Sequence, residues 1–428
     1  MTEPSMGVVA DDLTGAMDTA GAFASQGLRV RVLRRASTRE GLLSGVDVAC
    51  INTQTRNVDS ALALVPVRMA ARDLIEAGFD RLYKKIDSTG RGNLAAECAA
   101  MLETTEAPAI IVCPAFPKLG RTVVEGRLLV HGQTVSTIPE GQDALAPVAS
   151  TSLTEMLTLE GELSATSIGL STVEVSSGQL TAAIRVAIDD GHNVVAVDAA
   201  TDEHLNVLAD ASNALPGCVV AGSAGLAHAI AGRMQSDASA PIQASAAEGP
   251  ALIIVGSRHE VNRAQLSALT GQGRATLVAL EPSEALSDPP ERRAHMARLR
   301  ETVCEKLGAG RNVALAWSEP DSPAAPSLDP AGDAADLGKF VGTLAYGVLR
   351  TVDVSGLVIA GGDTAFAVLG ALGATSVDIM NEVEPGVPCG VISDGSAAGR
   401  TLVTKAGGFG DELTLTRALE IASGRIES

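Results

Sequence analysis

A chain of 428 residues with 51 acidic and 32 basic side chains carries a formal charge of -19, a field that repels a phosphate backbone unless a basic stripe overrides it, and the sequence contains none. Aromatics are only 2% of a composition that is 46% hydrophobic, so the core has to be built from Ala, Val, Leu and Ile, as in α/β proteins. The length predicts two domains. Apolar runs shorter than a ~20-residue span, six scattered cysteines without a CxxC pair and no secretory leader before the first strand point to a reduced, cytoplasmic protein without a membrane partner.

Short apolar runs over 7–10, 30–33, 46–51, 110–113, 194–197 and 219–221 alternate with Ala-rich segments of helical period, which reads as parallel βαβ units. After Gly232 the pattern lapses into a stretch dense in Ser, Ala, Pro and Gly, and a new strand opens over 251–255. The expected architecture is therefore two α/β domains with largely parallel sheets and an active-site cleft between them: 1–232, a linker over 233–250, and 251–428. Residues 319–332, rich in Pro and acidic side chains, read as a surface loop, and no internal repeat is present.

Parallel sheets expose the carboxyl ends of their strands along one edge, so polar groups just after a strand face a ligand. Asp11 and Asp12 follow the first strand, Thr53-Gln54-Thr55-Arg56-Asn57 follows another, and a third ends in Lys84-Lys85-Ile86-Asp87-Ser88-Thr89-Gly90-Arg91. Arg56, Lys84, Lys85, Ser88 and Arg91 beside Asp11 suit a small polyhydroxylated acid: the cations pair its carboxylate and the aspartates accept from its hydroxyls. Asp12 and Asp87 are the candidates for a general base on an attacking hydroxyl. An Asp at a strand-to-helix junction is also a common helix cap, a reading that fits one of Asp11 and Asp12 but not both.

The C-terminal half carries a different set. A strand over 357–360 runs into Gly361-Gly362-Asp363-Thr364 and then an apolar helix, a strand-glycine-helix junction whose free amides and helix dipole attract an anion, with Thr364 also able to cap the helix. Gly256-Ser257 and Lys405-Ala406-Gly407-Gly408 end two further strands. Three glycine-bearing strand ends in one domain suggest a nucleotide site, although neither a Walker loop nor G-x-G-x-x-G is present to name the nucleotide. Lys405 is a candidate to neutralise phosphate charge developing during transfer.

Taken in order, Ala10-Asp-Asp-Leu-Thr-Gly-Ala16, Lys84-Lys-Ile-Asp-Ser-Thr89 with Arg91-Gly-Asn93, Pro114-Ala-Phe-Pro117 with Gly120-Arg121, Gly222-Ser-Ala-Gly-Leu226, Gly361-Gly-Asp-Thr364 and Lys405-Ala-Gly-Gly-Phe-Gly410 resemble the four-carbon acid sugar kinase family over nearly the whole chain. The resemblance implies an N-terminal sugar-acid-binding domain and a C-terminal nucleotide-binding domain. It also implies phosphate transfer from ATP, with Mg²⁺, to the terminal hydroxyl of threonate, erythronate or a 3-oxo-tetronate. The family's ATP contacts fall on Ser257, on Gly361, Gly362, Asp363 and Thr364, and on Gly407, with Gly408 beside it. Gly90 stands where the family commonly has Leu, Ala406 where it has Ser, and Arg258-His259 where it has smaller polar residues. Small-molecule sugar acid and ATP are the expected partners, with no nucleic acid and with a homodimer compatible. No compact carboxylate cluster of metal-site spacing marks the metal ligands. An NAD-dependent sugar-acid dehydrogenase is the rival enzyme, opposed by the missing G-x-G-x-x-G. A non-catalytic sugar-acid-binding protein is the rival of another class, opposed by Asp12, Asp87, Gly362, Asp363 and Lys405.

Overall fold

Four- and five-residue runs of Val, Ile, Leu and Ala are too short for buried helices and form strands, while the Ala-rich segments between them wind into helices over the sheet faces. The computed structural model describes residues 5–37, 41–138, 141, 146–148, 150–159, 163–234, 248–257, 259–318 and 332–425. The chain divides into two units, Met1–Ala240 and Pro241–Ser428. Of the segments read as linker and surface loop, residues 235–247 and 319–331 lie outside the described residues, as does Arg258. Gly332, read as the end of that loop, instead opens a helix.

In the first unit the strands are β1 (Met6–Ala10), β2 (Val30–Leu33), β3 (Val48–Asn52), β4 (Arg81–Lys85), β5 (Ile110–Cys113), β6 (Arg121–Val124), β7 (Arg127–Val130), β8 (Gln133–Thr134), β9 (Ala165–Ile168), β10 (Val194–Val197) and β11 (Val219–Gly222). The helices are α1 (Leu13–Ala24), α2 (Ser60–Glu76), α3 (Leu94–Thr105), α4 (Leu153–Thr158), α5 (Leu170–Val173), α6 (Ser177–Asp189), α7 (Asp202–Asn213) and α8 (Ala224–Ala231). The main sheet runs β2-β3-β1-β4-β11-β5-β10-β9 with parallel neighbours, and β6, β7 and β8 form a small antiparallel sheet. Every residue of α1 is buried; its Gly, Ala and Thr side chains let it sit deep against sheet and helix, a seat that a bulkier sequence would not fit.

The second unit contains β12 (Leu252–Val255), β13 (Thr276–Leu280), β14 (Val313–Trp317), β15 (Gly356–Ala360), β16 (Ser376–Glu384), β17 (Val387–Ile392) and β18 (Thr401–Lys405), with α9 (Glu260–Gly271), α10 (Pro282–Ala285), α11 (Pro289–Gly308), α12 (Gly332–Leu349), α13 (Gly362–Ala371) and α14 (Thr414–Ala422). Its strand order is β13-β14-β12-β15-β18-β17-β16, parallel as far as β18 and antiparallel beyond. One face buries Ile253, Val255, Ala314, Ala316 and Val403 against Leu269 of α9 and Leu415 and Ala418 of α14. Fully burying a Leu or Ile stabilises by roughly 1.5–3 kcal/mol each.

Both sheets contain a topological switch point. The chain leaves β1 toward β2 in one direction and leaves β4 toward β5 in the other, so right-handed crossovers put α1 and α3 on opposite faces and open a crevice at the carboxyl ends of β1 and β4. The same reasoning opens one between β12 and β15. The four leading strands of each unit thus share one order, second-third-first-fourth, a likeness that leaves no repeat in the sequence.

Candidate active site

The register brings the first unit's polar strand ends to a common level: Ala10 pairs with Asn52 on one side and Lys85 on the other. The loop after β3 is stitched to that after β1, because Thr55 and Arg56 donate their backbone N–H groups to the Asp11 carbonyl at 2.8 and 3.2 Å. This fixes Arg56, which donates through Nε and Nη2 to the two carboxylate oxygens of Asp11 at 2.7 and 3.0 Å. Its Nη2 also lies 2.7 Å from Asp12 Oδ1 and 3.8 Å from Asp87 Oδ1. One guanidinium therefore gathers three aspartates from two strand ends.

Asp12 is the N-cap of α1, its Oδ1 accepting from Gly15 N–H at 2.8 Å, so of the two adjacent aspartates the capping role belongs to Asp12. Asp87 is more heavily bound. Arg91 donates to both of its oxygens at 2.9 Å, and the Thr89 backbone N–H and hydroxyl donate as well. Burial opposes its charge, but Arg91 and Arg56 outweigh burial and hold the carboxyl well below the usual range. Asp11 likewise ends below the ordinary value, with Arg56, Lys84 and Lys85 overcoming the cost of burial. The three aspartates raise the Arg56 guanidinium well above its ordinary value against the pull of desolvation.

The two lysines part company. Lys84 is fully buried, with Nζ 2.6 Å from Glu97 Oε2 and 2.7 Å from the Lys85 carbonyl. Lys85 Nζ donates to the Ile86 carbonyl at 2.8 Å and lies so near α1 that a Cβ on Gly15 would fall 2.8 Å from it. Ser88 is buried in the same loop. The next residue but one explains a departure noted in the sequence: Gly90 has φ of +80°, and a Cβ there would come within 2.7 Å of Met156 Cε and 3.1 Å of Leu128 Cδ2. Met156 and Leu128 fill the volume that a Leu at position 90 would need.

Sequence reasoning missed Glu97. It is 2% exposed on α3, accepts from the Thr55 hydroxyl and pairs with Lys84. Its spacing from Leu94 and Met101 put a carboxylate in the middle of an otherwise apolar helix face, and that was the available signal.

In the second unit Val255 pairs with Ala360, and Ala360 with Lys405, so the three glycine-bearing loops leave the sheet at one level. Gly256 N–H donates to the Ala360 carbonyl and Gly361 N–H to the Lys405 carbonyl, both at 3.0 Å. The loops touch: a Cβ on Gly256 would lie 1.8 Å from Thr364 Oγ1, so only glycine allows this approach. Thr364 does not cap α13, contrary to the sequence reading. The N-cap is Gly361, with φ of +117° and no side-chain hydrogen bond, which leaves the first-turn amides to a ligand. Gly362, exposed Asp363 and Thr364 form that first turn. Gly407 sits against the Ser257 hydroxyl and Gly408 against the His259 ring. Lys405 is the last residue of β18 and 1% exposed. Its Nζ donates to Asn262 Oδ1 and to the Gly407 carbonyl at 3.4 Å, and burial, only partly countered by Glu384, pulls it down to about 8.

Comparison with known proteins agrees with this division of labour. Residues 6–230 match the family model of a sugar-binding N-terminal domain and residues 252–415 that of a nucleotide-binding C-terminal domain. The chain is 31% identical to the D-threonate kinase of Salmonella typhimurium, over 96% of this chain and 97% of that one, and 33% identical to the D-threonate kinase of Bordetella bronchiseptica, over 98% of each. A solved chain from Salmonella typhimurium LT2 has the same fold, with a TM-score of 0.83 at 23% identity over 98% of this chain and 99% of that one. Fold and site together define a two-domain phosphotransferase. The chain belongs to the four-carbon acid sugar kinase family. No described helix is long and apolar enough to cross a membrane.

Proposed function

We propose that this kinase moves the γ-phosphoryl group of ATP to the terminal hydroxyl of a four-carbon sugar acid, with D-threonate as the acid that the Salmonella and Bordetella relatives suggest. The observation that carries the reading is the Asp11–Arg56–Asp87–Arg91 array at the β1/β4 switch point. It fixes two guanidinium groups for the acid's carboxylate and hydroxyls. Lys85 adds a third cation, and Ser88 a hydroxyl. Lys84 acts from beneath: its ammonium is taken by Glu97, and it supports Asp11 rather than meeting the acid.

Of the two candidate bases, Asp12 is the better. Every oxygen of Asp87 is engaged by Arg91, Thr89 or Arg56, whereas the cap and Arg56 take only Asp12 Oδ1. The acceptor oxygen forms the new bond to γ-phosphorus, the bond to the β–γ bridging oxygen breaks, ADP leaves, and the hydroxyl proton goes to Asp12. Ser257, Gly362, Thr364, Gly407 and Gly408 offer amides and hydroxyls to the phosphates, Gly361 the turn that exposes them, and Lys405 a countercharge.

Among the described residues no group of three or more His, Cys, Asp or Glu could hold a metal, and a Mg²⁺ ion brought by the nucleotide's phosphates would need only one or two carboxylates. Asp363 is the carboxylate of the glycine loop. Mg²⁺ held there would neutralise charge on the transferring group. Coupled ADP release with D-threonate, D-erythronate and 3-oxo-tetronates tests the proposal, with phosphorus NMR locating the ester. D-Threonate 4-phosphate is expected, and no turnover with any of these acids sinks the reading.

A further inference from the structure

Trp317 is the only tryptophan of a chain with 2% aromatic residues, and it ends β14 at the carboxyl edge of the second unit's sheet. Ala316 pairs with Val255 and Val255 with Ala360, so Trp317, Gly256 and Gly361 stand level on three neighbouring strand ends. With strands ~4.8 Å apart, Trp317 lies about 10 Å along the edge from Gly361. That is the reach of the ribose and α-phosphate in an extended nucleotide.

The ring is also on the matching face. Ala314 and Ala316 face the α9–α14 core, and strand alternation turns Trp317 to the opposite side, where it packs on Phe340 of α12 with ring centroids 6.3 Å apart. Helix α12 packs on α13, whose first turn is the phosphate-binding junction. Phe340 in turn stacks on His295 at 5.7 Å, and both are buried, while Trp317 remains partly exposed. Two buried rings therefore brace a third that keeps part of its surface exposed.

We infer that Trp317 is the platform on which the purine base of the nucleotide stacks, an inference that rests on the nucleotide reading of this unit. An aromatic platform holds a base through its π face and supplies affinity without hydrogen-bond readout. The phosphate loops then grip one end of the nucleotide and Trp317 the other.

Because the chain has a single tryptophan, its emission reports this one position. ADP is expected to quench it saturably, with inorganic tripolyphosphate leaving it unchanged. In calorimetric titrations Trp317→Ala is expected to weaken ADP binding about tenfold, the lower-middle of the range for losing one base stack. Tripolyphosphate affinity should stay at the wild-type value, and Trp317→Phe should restore most of the ADP affinity. Wild-type ADP affinity in a folded Trp317→Ala, or ADP binding that leaves the emission untouched, overturns the inference while the nucleotide reading stands. A wild-type protein that binds no adenine nucleotide removes both.

Discussion

Lys84 holds its ammonium 2.6 Å from Glu97 Oε2 with both side chains buried, and its charge also acts on Asp11. Burial pushes the Glu97 carboxyl up, Lys84 pulls it down, and the neighbouring Asp11 charge pushes it up again. The net direction is upward. The pair is thus part of the electrostatics of the site, although nothing in it reaches the edge.

Glu97→Gln leaves the Lys84 ammonium buried without a countercharge. The expected loss of stability is about 3–5 kcal/mol by urea unfolding, together with a raised KM for the sugar acid and unchanged ADP affinity. Replacing both partners, as Lys84→Met with Glu97→Leu, should recover most of the stability, because an apolar pair needs no desolvated charge. A Glu97→Gln protein as stable as the wild type contradicts this account.

Asp12 is both a helix cap and the proposed base, and two substitutions separate the roles. Asn caps a helix as well as Asp does, whereas Ala costs ~1 kcal/mol. Asp12→Asn should therefore unfold like the wild type while its kcat falls at least about 100-fold, the low end for losing general base catalysis. Retained turnover in Asp12→Asn moves the base elsewhere.

Lys405 is pulled by burial to about 8 from 10.5. Between those values the unfolded chain holds the proton and the folded chain has lost it, so folding stability rises with pH across that window. Activity should move the other way. Above pH 8 the cation beside the glycine loops is lost and kcat/KM for MgATP is expected to fall. Lys405→Arg keeps its charge through this range and should abolish the alkaline limb. A limb that persists in this variant assigns the titration to another group.

Gly90→Leu forces a side chain into space held by Met156 and Leu128, at a φ of +80°. Overpacking and left-handed backbone together should cost on the order of 2–4 kcal/mol. Met156→Ala in the same chain should return the packing part of that loss, leaving the backbone part. Unfolding curves of the three proteins decide it.

Much of this could be read in advance because it lies in local order. Asp11 and Asp12 close an apolar run and Gly361-Gly362 close another, and a parallel sheet sends such strand ends to one edge whatever its strand order. Glu97 was harder to read for the opposite reason: in an Ala-rich helix a single Glu reads as solvent-facing even in line with Leu94 and Met101, and only the meeting of α3 with β4 supplies the lysine that lets it be buried. The division between Lys84 and Lys85 was hidden likewise, since adjacent strand residues point to opposite faces and sequence does not say which face holds the carboxylate. Gly90 could be seen as unusual, but its reason lies in Met156, 66 positions along the chain.

The two switch points are lined with different materials. The β1/β4 crevice presents charged side chains on Arg56, Asp87 and Arg91, while the β12/β15 crevice presents mainly peptide N–H groups from the first turn of α13 and the glycines after Lys405. A change of residue alters a guanidinium or a carboxylate but leaves a peptide amide in being. Acceptor choice in such a protein is therefore open to drift through a handful of codons, and the donor end is inherited nearly intact by every descendant that keeps its glycines.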